Sequence, residues 1–162
     1  MRILTVVAPG GGEMRESVSL AVNAWTRGLD IRLRFLNIGL EETVLVLPSG
    51  RGPAEPAAAG LEAVEQAISR LRPGAVLLHG GGPAALAAAV TAAKAGVPVV
   101  RTGAGRRDGP DGDAERAADR LATVRASADA AALAVLRDEG LDGTEGSPEE
   151  VVKALVRVVR EM

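Results

Sequence analysis

The residues of this chain whose types and spacing could do chemistry are one histidine, a run of arginines and three glycine-rich turns. The turns are Pro9, Gly10, Gly11 and Gly12; His79, Gly80, Gly81 and Gly82; and the stretch Arg101, Thr102, Gly103, Ala104, Gly105, Arg106 and Arg107. Each follows a short apolar run. Glycine lets backbone N–H groups come close to an anion, and a helix N-terminus behind it adds a favourable dipole. Arginine adds planar, two-pronged contacts to phosphate or carboxylate. We therefore expect an anionic ligand, bearing phosphate or carboxylate, at Gly10–Gly12, Gly80–Gly82, Arg101, Gly103, Arg106 and Arg107. The same residues also suit plain tight turns and a solvated arginine pair, and none of the turns matches a dinucleotide fingerprint or a P-loop.

Acid/base groups are scarce in these turns. His79 is the chain's only histidine and suits either a structural hydrogen bond or proton transfer, and its loop offers no second metal ligand. Asp111 lies in the DGPDGD stretch at 108–113, whose spacing fits a calcium loop poorly and lacks the distal glutamate. His79 and Asp111 are the only catalytic candidates; no metal site and no cofactor are expected.

The elements that must position these loops are set by the apolar pattern. Runs at 3–8, 31–38, 43–47, 75–78, 97–100 and 123–126 read as strands. Helical patterns fill 13–27, 59–71, 83–95, 113–122 and 129–139, with 51–58 read as a loop. At 141–147 a linker leads to a terminal helix over 148–160, with Ser147 as N-cap and Glu150 completing a capping box. Continuous apolar strands alternating with helices specify an α/β fold, a three-layer, doubly wound parallel sheet of Rossmann-like type, spanning 1–162 as one domain. In such sheets ligands sit at the carboxyl ends of the strands. The helix at 83–95 has polar side chains only at Thr91 and Lys94. A helix apolar all round is buried all round, so a second copy of the chain is expected to cover it, making a homo-oligomer through helix 83–95.

Composition narrows the function. With 19 basic and 21 acidic residues the net charge is −2, and aromatic residues make up 1%. Neither a basic footprint nor a base-stacking platform exists, so nucleic acid is not an expected partner. Cysteine is absent, which excludes disulfides and thiolate chemistry. No apolar run is long enough for a membrane span, and a cytoplasmic location is expected. Arginine far outnumbers lysine, as in thermophilic or GC-rich sources.

From Arg72 onward the sequence resembles the non-hydrolysing UDP-N-acetylglucosamine 2-epimerases. RPGAVLLHGGGPAALAAAVTAAKAGVPVV is similar to that family's strand ending in His-Gly-Asp, its Ala-rich helix and its Ile-Pro-Val strand. RTGAG at 101–105 takes the place of Val-Glu-Ala-Gly-Leu-Arg, with Arg107 or Arg106 matching its arginine. ADRLATVRASADAAALAVLRDEG resembles the family's Thr-Asp-Arg segment, the next strand and the helix ending in Glu-Gly. MRILTVVAPGG and GLEAVEQAISRLRP resemble the first strand and the helix before His-Gly-Asp. The resemblance implies the N-terminal Rossmann-like domain alone, without the second domain that carries most UDP contacts and a catalytic histidine. It also implies catalytic acids at positions where this chain has Gly81 and Gly103, and near Pro110 and Gly112, where only Asp111 remains. Epimerisation needs placed carboxylates for proton transfer at C2, and glycine has none to offer.

Three readings stand side by side. The first is a degenerate relative of the epimerase N-terminal domain, without epimerase activity, binding a nucleotide, a sugar phosphate or a protein. The second is an active, epimerase-like enzyme that completes its site across a subunit interface with His79, Arg101, Arg106 and Asp111. The third is a structural or regulatory subunit. The missing acids favour the first.

Overall fold

The computed structural model describes residues 1–8, 38–48, 52–107 and 109–161. They form six strands and five helices in the order β1 (Arg2–Ala8), β2 (Glu41–Val46), α1 (Ala54–Leu71), β3 (Ala75–Gly80), α2 (Gly82–Lys94), β4 (Val99–Thr102), α3 (Gly112–Leu121), β5 (Val124–Ser127), α4 (Ala130–Asp138), β6 (Thr144–Glu145) and α5 (Pro148–Arg160). The expected helix at 13–27, the strand at 31–38 and Gly10–Gly12 lie outside the described residues.

All six strands are parallel, in the order β2-β1-β3-β4-β5-β6. The chain leaves β1 for β2 on one side and then crosses to β3 on the other, so the order reverses between β1 and β3. Both faces of the sheet are covered, as a parallel sheet requires. Leu4, Val6, Val76, Leu78 and Val99 meet α1, α2 and α3 through Val64, Ala84, Ala88 and Ala118. Ile3, Ala75, Leu77 and Val100 meet α5 through Val151, Ala154, Leu155 and Val158. This is the expected three-layer, doubly wound arrangement.

Three expectations need correction. Helix α1 begins at Ala54, inside the stretch read as a loop. Its Pro56 sits in the first turn, where backbone N–H groups have no partner within the helix, so proline costs little there. Thr144 and Glu145, read as linker, pair with Ala126 and Ser127 as an edge strand. The apolar helix α2 finds its cover within the chain: Gly82, Ala84, Ala85, Ala87, Ala88, Ala89 and Ala92 are buried by the sheet and the flanking helices. At Gly60 of α1 a Cβ would lie 3.2 Å from the Ala87 Cβ, so small side chains on both helices let them approach closely. Burial of α2 therefore does not itself require a second subunit.

The terminal helix matches its expected bounds. Ser147 Oγ accepts from the Glu150 N–H at 3.3 Å, as the capping pattern requires.

Candidate functional site

The parallel register brings the carboxyl ends of β1, β3 and β4 together. Ala8 lies beside Gly80, and His79 beside Thr102. Two of the three glycine-rich turns therefore open on one sheet edge next to the reversal point. Gly80 has φ +110, and a Cβ there would overlap the Ala8 carbonyl oxygen. Glycine here is a demand of close packing between strand ends.

Side-chain parity divides the candidates between the two faces. Arg101 shares its face with Val99, the face covered by α2 and α3, whereas His79 and Thr102 share theirs with Leu77 and Val100, the α5 face. His79 is half-buried, and its Nδ1 shares a 2.6 Å hydrogen bond with Thr102 Oγ1. The two side chains on which proton transfer and anion binding were expected to converge point to opposite sides of the sheet.

Arg101 is placed otherwise than a ligand contact would be. Its side chain is 0% exposed. Nη2 pairs with Glu115 Oε2, Nη1 donates to the Glu115 carbonyl at 3.2 Å, and Nε faces Asp119 Oδ1 at 3.1 Å as an ion pair out of line for a hydrogen bond. Asp119 is itself fully buried; its Oδ2 accepts from the Gly105 N–H at 2.9 Å and from Arg107 Nη1 at 2.8 Å. Arg107 grips Glu139 with two prongs, Nε to Oε1 at 2.9 Å and Nη2 to Oε2 at 2.7 Å, and Arg116 Nε adds a contact to Oε1 at 3.1 Å. One chain of charge thus runs from under β4 through α3 to the end of α4, tying down the Gly103–Arg107 turn. The Glu139 hydrogen bond raises the Arg107 pKa above its ordinary value, with burial opposing it. The same hydrogen bond from Arg107, more than that from Arg116, pulls the Glu139 carboxyl down to about 2.

Glu115 and Asp119 were not among the candidates because they sit in no loop. Their sign in the sequence was spacing: four residues apart on α3, they share one face of that helix. Glu115 also bears on the expected loss of acids. Position 81 is glycine, yet a carboxylate stands against it, because a Cβ on Gly81 would overlap Glu115 Oε1. The Gly82 backbone N–H at the start of α2 also favours the charged form of that carboxyl. Burial pushes its pKa up, against the pull of Arg101.

The remaining candidates are dispersed. Arg106 is exposed, and Gly103, at φ +69, has open space where a Cβ would lie. Asp111 is half-buried at the start of α3, where its carbonyl accepts from the Glu115 N–H at 2.9 Å. Among the described residues no group of three or more His, Asp or Glu side chains is placed to hold a metal ion. No helix among them is long and apolar enough to cross a membrane.

The class that fold and edge define is the parallel, doubly wound α/β domain with its loops gathered at a reversal point. Within that class the chain is similar to solved UDP-GlcNAc 2-epimerases. The Neisseria meningitidis enzyme bound to UDP-GlcNAc superposes with a TM-score of 0.69 at 15% identity, over 93% of this chain and 47% of that one. The Methanocaldococcus jannaschii enzyme in complex with UDP-GlcNAc and UDP gives 0.67 at 15% identity, over 90% and 46%. The S. aureus MnaA–UDP structure gives 0.65 at 19% identity, over 86% and 40%. The fold expected from the resemblance is thus shown, and the chain spans somewhat less than half the length of these relatives. No protein-family model matches the sequence, and no curated protein matches it.

Proposed function

We propose that this chain is a cytoplasmic ligand-binding relative of the UDP-GlcNAc 2-epimerase fold, one that holds a nucleotide or sugar phosphate at the carboxyl edge of β1, β3 and β4 without epimerising it. One observation carries the reading: Glu115 and Asp119, which stand against the Gly81 and Gly103–Arg107 turns, are engaged in internal ion pairs. Glu115 and Asp119 neutralise Arg101 and Arg107, and Glu139 closes the chain of pairs. A carboxylate locked against a buried guanidinium is poorly placed to take a proton from a sugar carbon. In this reading the exposed Arg106, in the glycine-rich turn that follows β4, supplies the anion contact. The solved relatives that hold UDP or UDP-GlcNAc support the choice of ligand class.

A second reading, an active enzyme, is favoured by Glu115. Its side chain retains 13% exposure beside the start of α2, and burial raises its pKa toward the range of a general acid. Thermal unfolding with UDP, UDP-GlcNAc and sugar phosphates, alongside an epimerase assay, separates the two. A ligand at a hundred times its dissociation constant adds about 2.7 kcal/mol, or roughly 5–10 °C in Tm. We expect such a shift with no epimerised product. Product above background would establish the second reading, and no shift with any of these compounds would remove the first.

A further inference from the structure

We propose that Glu115 is an internal anion seated where a ligand's phosphate group binds, and that its side chain must swing out before the ligand enters. The proposal rests on the reading of this sheet edge as a phosphate-binding place and adds an autoinhibitory contact to it. The seat lies at the turn from β3 into α2. The three atoms nearest to a Cβ built on Gly81 are Oε1, Cδ and Oε2 of Glu115, and Oε1 would overlap it. The backbone at Gly81 is extended, with φ −145, a conformation open to any residue. What the missing side chain at Gly81 provides is therefore room, and the carboxyl of Glu115 fills it.

The surroundings of that carboxyl have the chemistry of a phosphate site. Helix α2 carries no acid in its own first turn and receives no side-chain cap from Gly81. Its positive end is met instead by Glu115 of α3, whose charged form the Gly82 N–H favours. On the other side stands the Arg101 guanidinium, 0% exposed, with Nη2 paired to Glu115 Oε2. A backbone N–H at a helix start and a planar guanidinium are the contacts that hold a phosphate oxygen. Glu115 can leave them standing. Its N–H stays on the Asp111 carbonyl at 2.9 Å, and its side chain reaches the surface with 13% exposure. Arg101 stays anchored by the carbonyls of Glu115 at 3.2 Å and Gly80 at 3.4 Å, and by Asp119 at 3.1 Å. A phosphate that replaces the carboxylate exchanges one anion for another, so the buried guanidinium keeps its full complement of charge partners. While Glu115 is seated the site is closed, and the apparent affinity falls with the fraction of molecules in that state.

Calorimetric titration of the whole chain with inorganic phosphate and with UDP-GlcNAc tests the proposal. Glu115→Ala empties the seat; Glu115→Gln keeps the shape, loses the charge and serves if the first variant does not fold, as circular dichroism reports. Both compounds should bind the folded variants on the order of ten-fold more tightly than wild type, as when the open form rises from a tenth of the molecules to all of them. Asp113→Asn removes an equal charge from a fully exposed position on α3 and should leave both affinities unchanged. Folded Glu115 variants that bind no more tightly than wild type, or an equal gain from Asp113→Asn, would overturn the proposal. Tighter phosphate binding by the variants, with UDP-GlcNAc bound by no form, would uphold the seat and remove the proposed function instead. A mutant cycle reads the seat without ligand. Gly81→Ala should lower the urea midpoint of wild type, because its Cβ expels the carboxyl, and lower it less in the Glu115→Ala background. Equal losses in the two backgrounds would show that the carboxyl does not sit there.

Discussion

Asp119→Asn is the sharpest test of the charge network under the sheet edge. The change keeps the side chain's shape and removes its charge. Asp119 is fully buried and serves Arg101, Arg107 and the Gly105 N–H at once. Removing one member of a buried ion pair costs about 3–5 kcal/mol, most of it from the charge left behind. Two features hold the figure to the low end: Arg101 retains Glu115, and Arg107 retains both oxygens of Glu139. One feature raises it. Asparagine has a single acceptor atom and a pair of donors, so its amide must confront either Arg101 or the Gly105 and Arg107 donors. We expect a loss of about 3 kcal/mol, or roughly 6–12 °C in Tm for a domain of this size. Urea unfolding followed by circular dichroism measures it, with an unchanged slope showing that the same surface is exposed. Arg116→Ala is the control: that side chain is 49% exposed, and its loss should cost less than about 1 kcal/mol. If Asp119→Asn costs no more than the control, the network is not a buried one and the reasoning fails.

Further outcomes are set by local geometry. Gly80→Ala, whose Cβ would overlap the Ala8 carbonyl oxygen, should cost more than about 3 kcal/mol or abolish soluble expression. Gly103→Ala, with positive φ but open space, should cost only about 1 kcal/mol, and equal urea midpoints for the two variants would contradict the packing account. Ser147→Ala removes the oxygen that caps α5 and should lower stability by about 1 kcal/mol in the same assay. Glu139 carries a pH dependence: its folded pKa, about 2, lies below the ordinary 4.5, so its contribution is present above pH 4.5 and disappears as the pH falls toward 2. Glu139→Gln should lower stability at neutral pH and flatten that acid loss; parallel curves for wild type and variant would assign the loss elsewhere.

The fold was legible because its strands are nearly pure apolar runs. Val76, Leu77 and Leu78 could belong only to a strand buried on both faces, and the glycines after them marked where it ended. The α5 boundary was legible from Ser147 and Glu150, whose roles are local. Strand β6 was not, since Thr144 and Glu145 carry no apolar signal and are held by pairing with β5 alone. The start of α1 was obscured by Pro53 and Pro56, which suit a first helical turn as well as a loop. The site was the least legible part. Arginine after a strand reads as a ligand contact, and only the alternation that puts Arg101 under α3 reveals that its partners are Glu115 and Asp119. Likewise the all-apolar α2 called for a partner until Gly60, on a helix distant in sequence, was seen to be that neighbour.

The near-contact of Gly80 with Ala8 has a consequence for how recognition at this place can change. Where two strand ends touch through main chain alone, no side chain is available for mutation to enlarge, shrink or recharge. Under the proposed function, a guest at this edge would meet peptide groups whose positions belong to the scaffold, and preference among related guests would be written in the outlying turns. Successive point changes could then alter which molecule is admitted while leaving its point of attachment where it is.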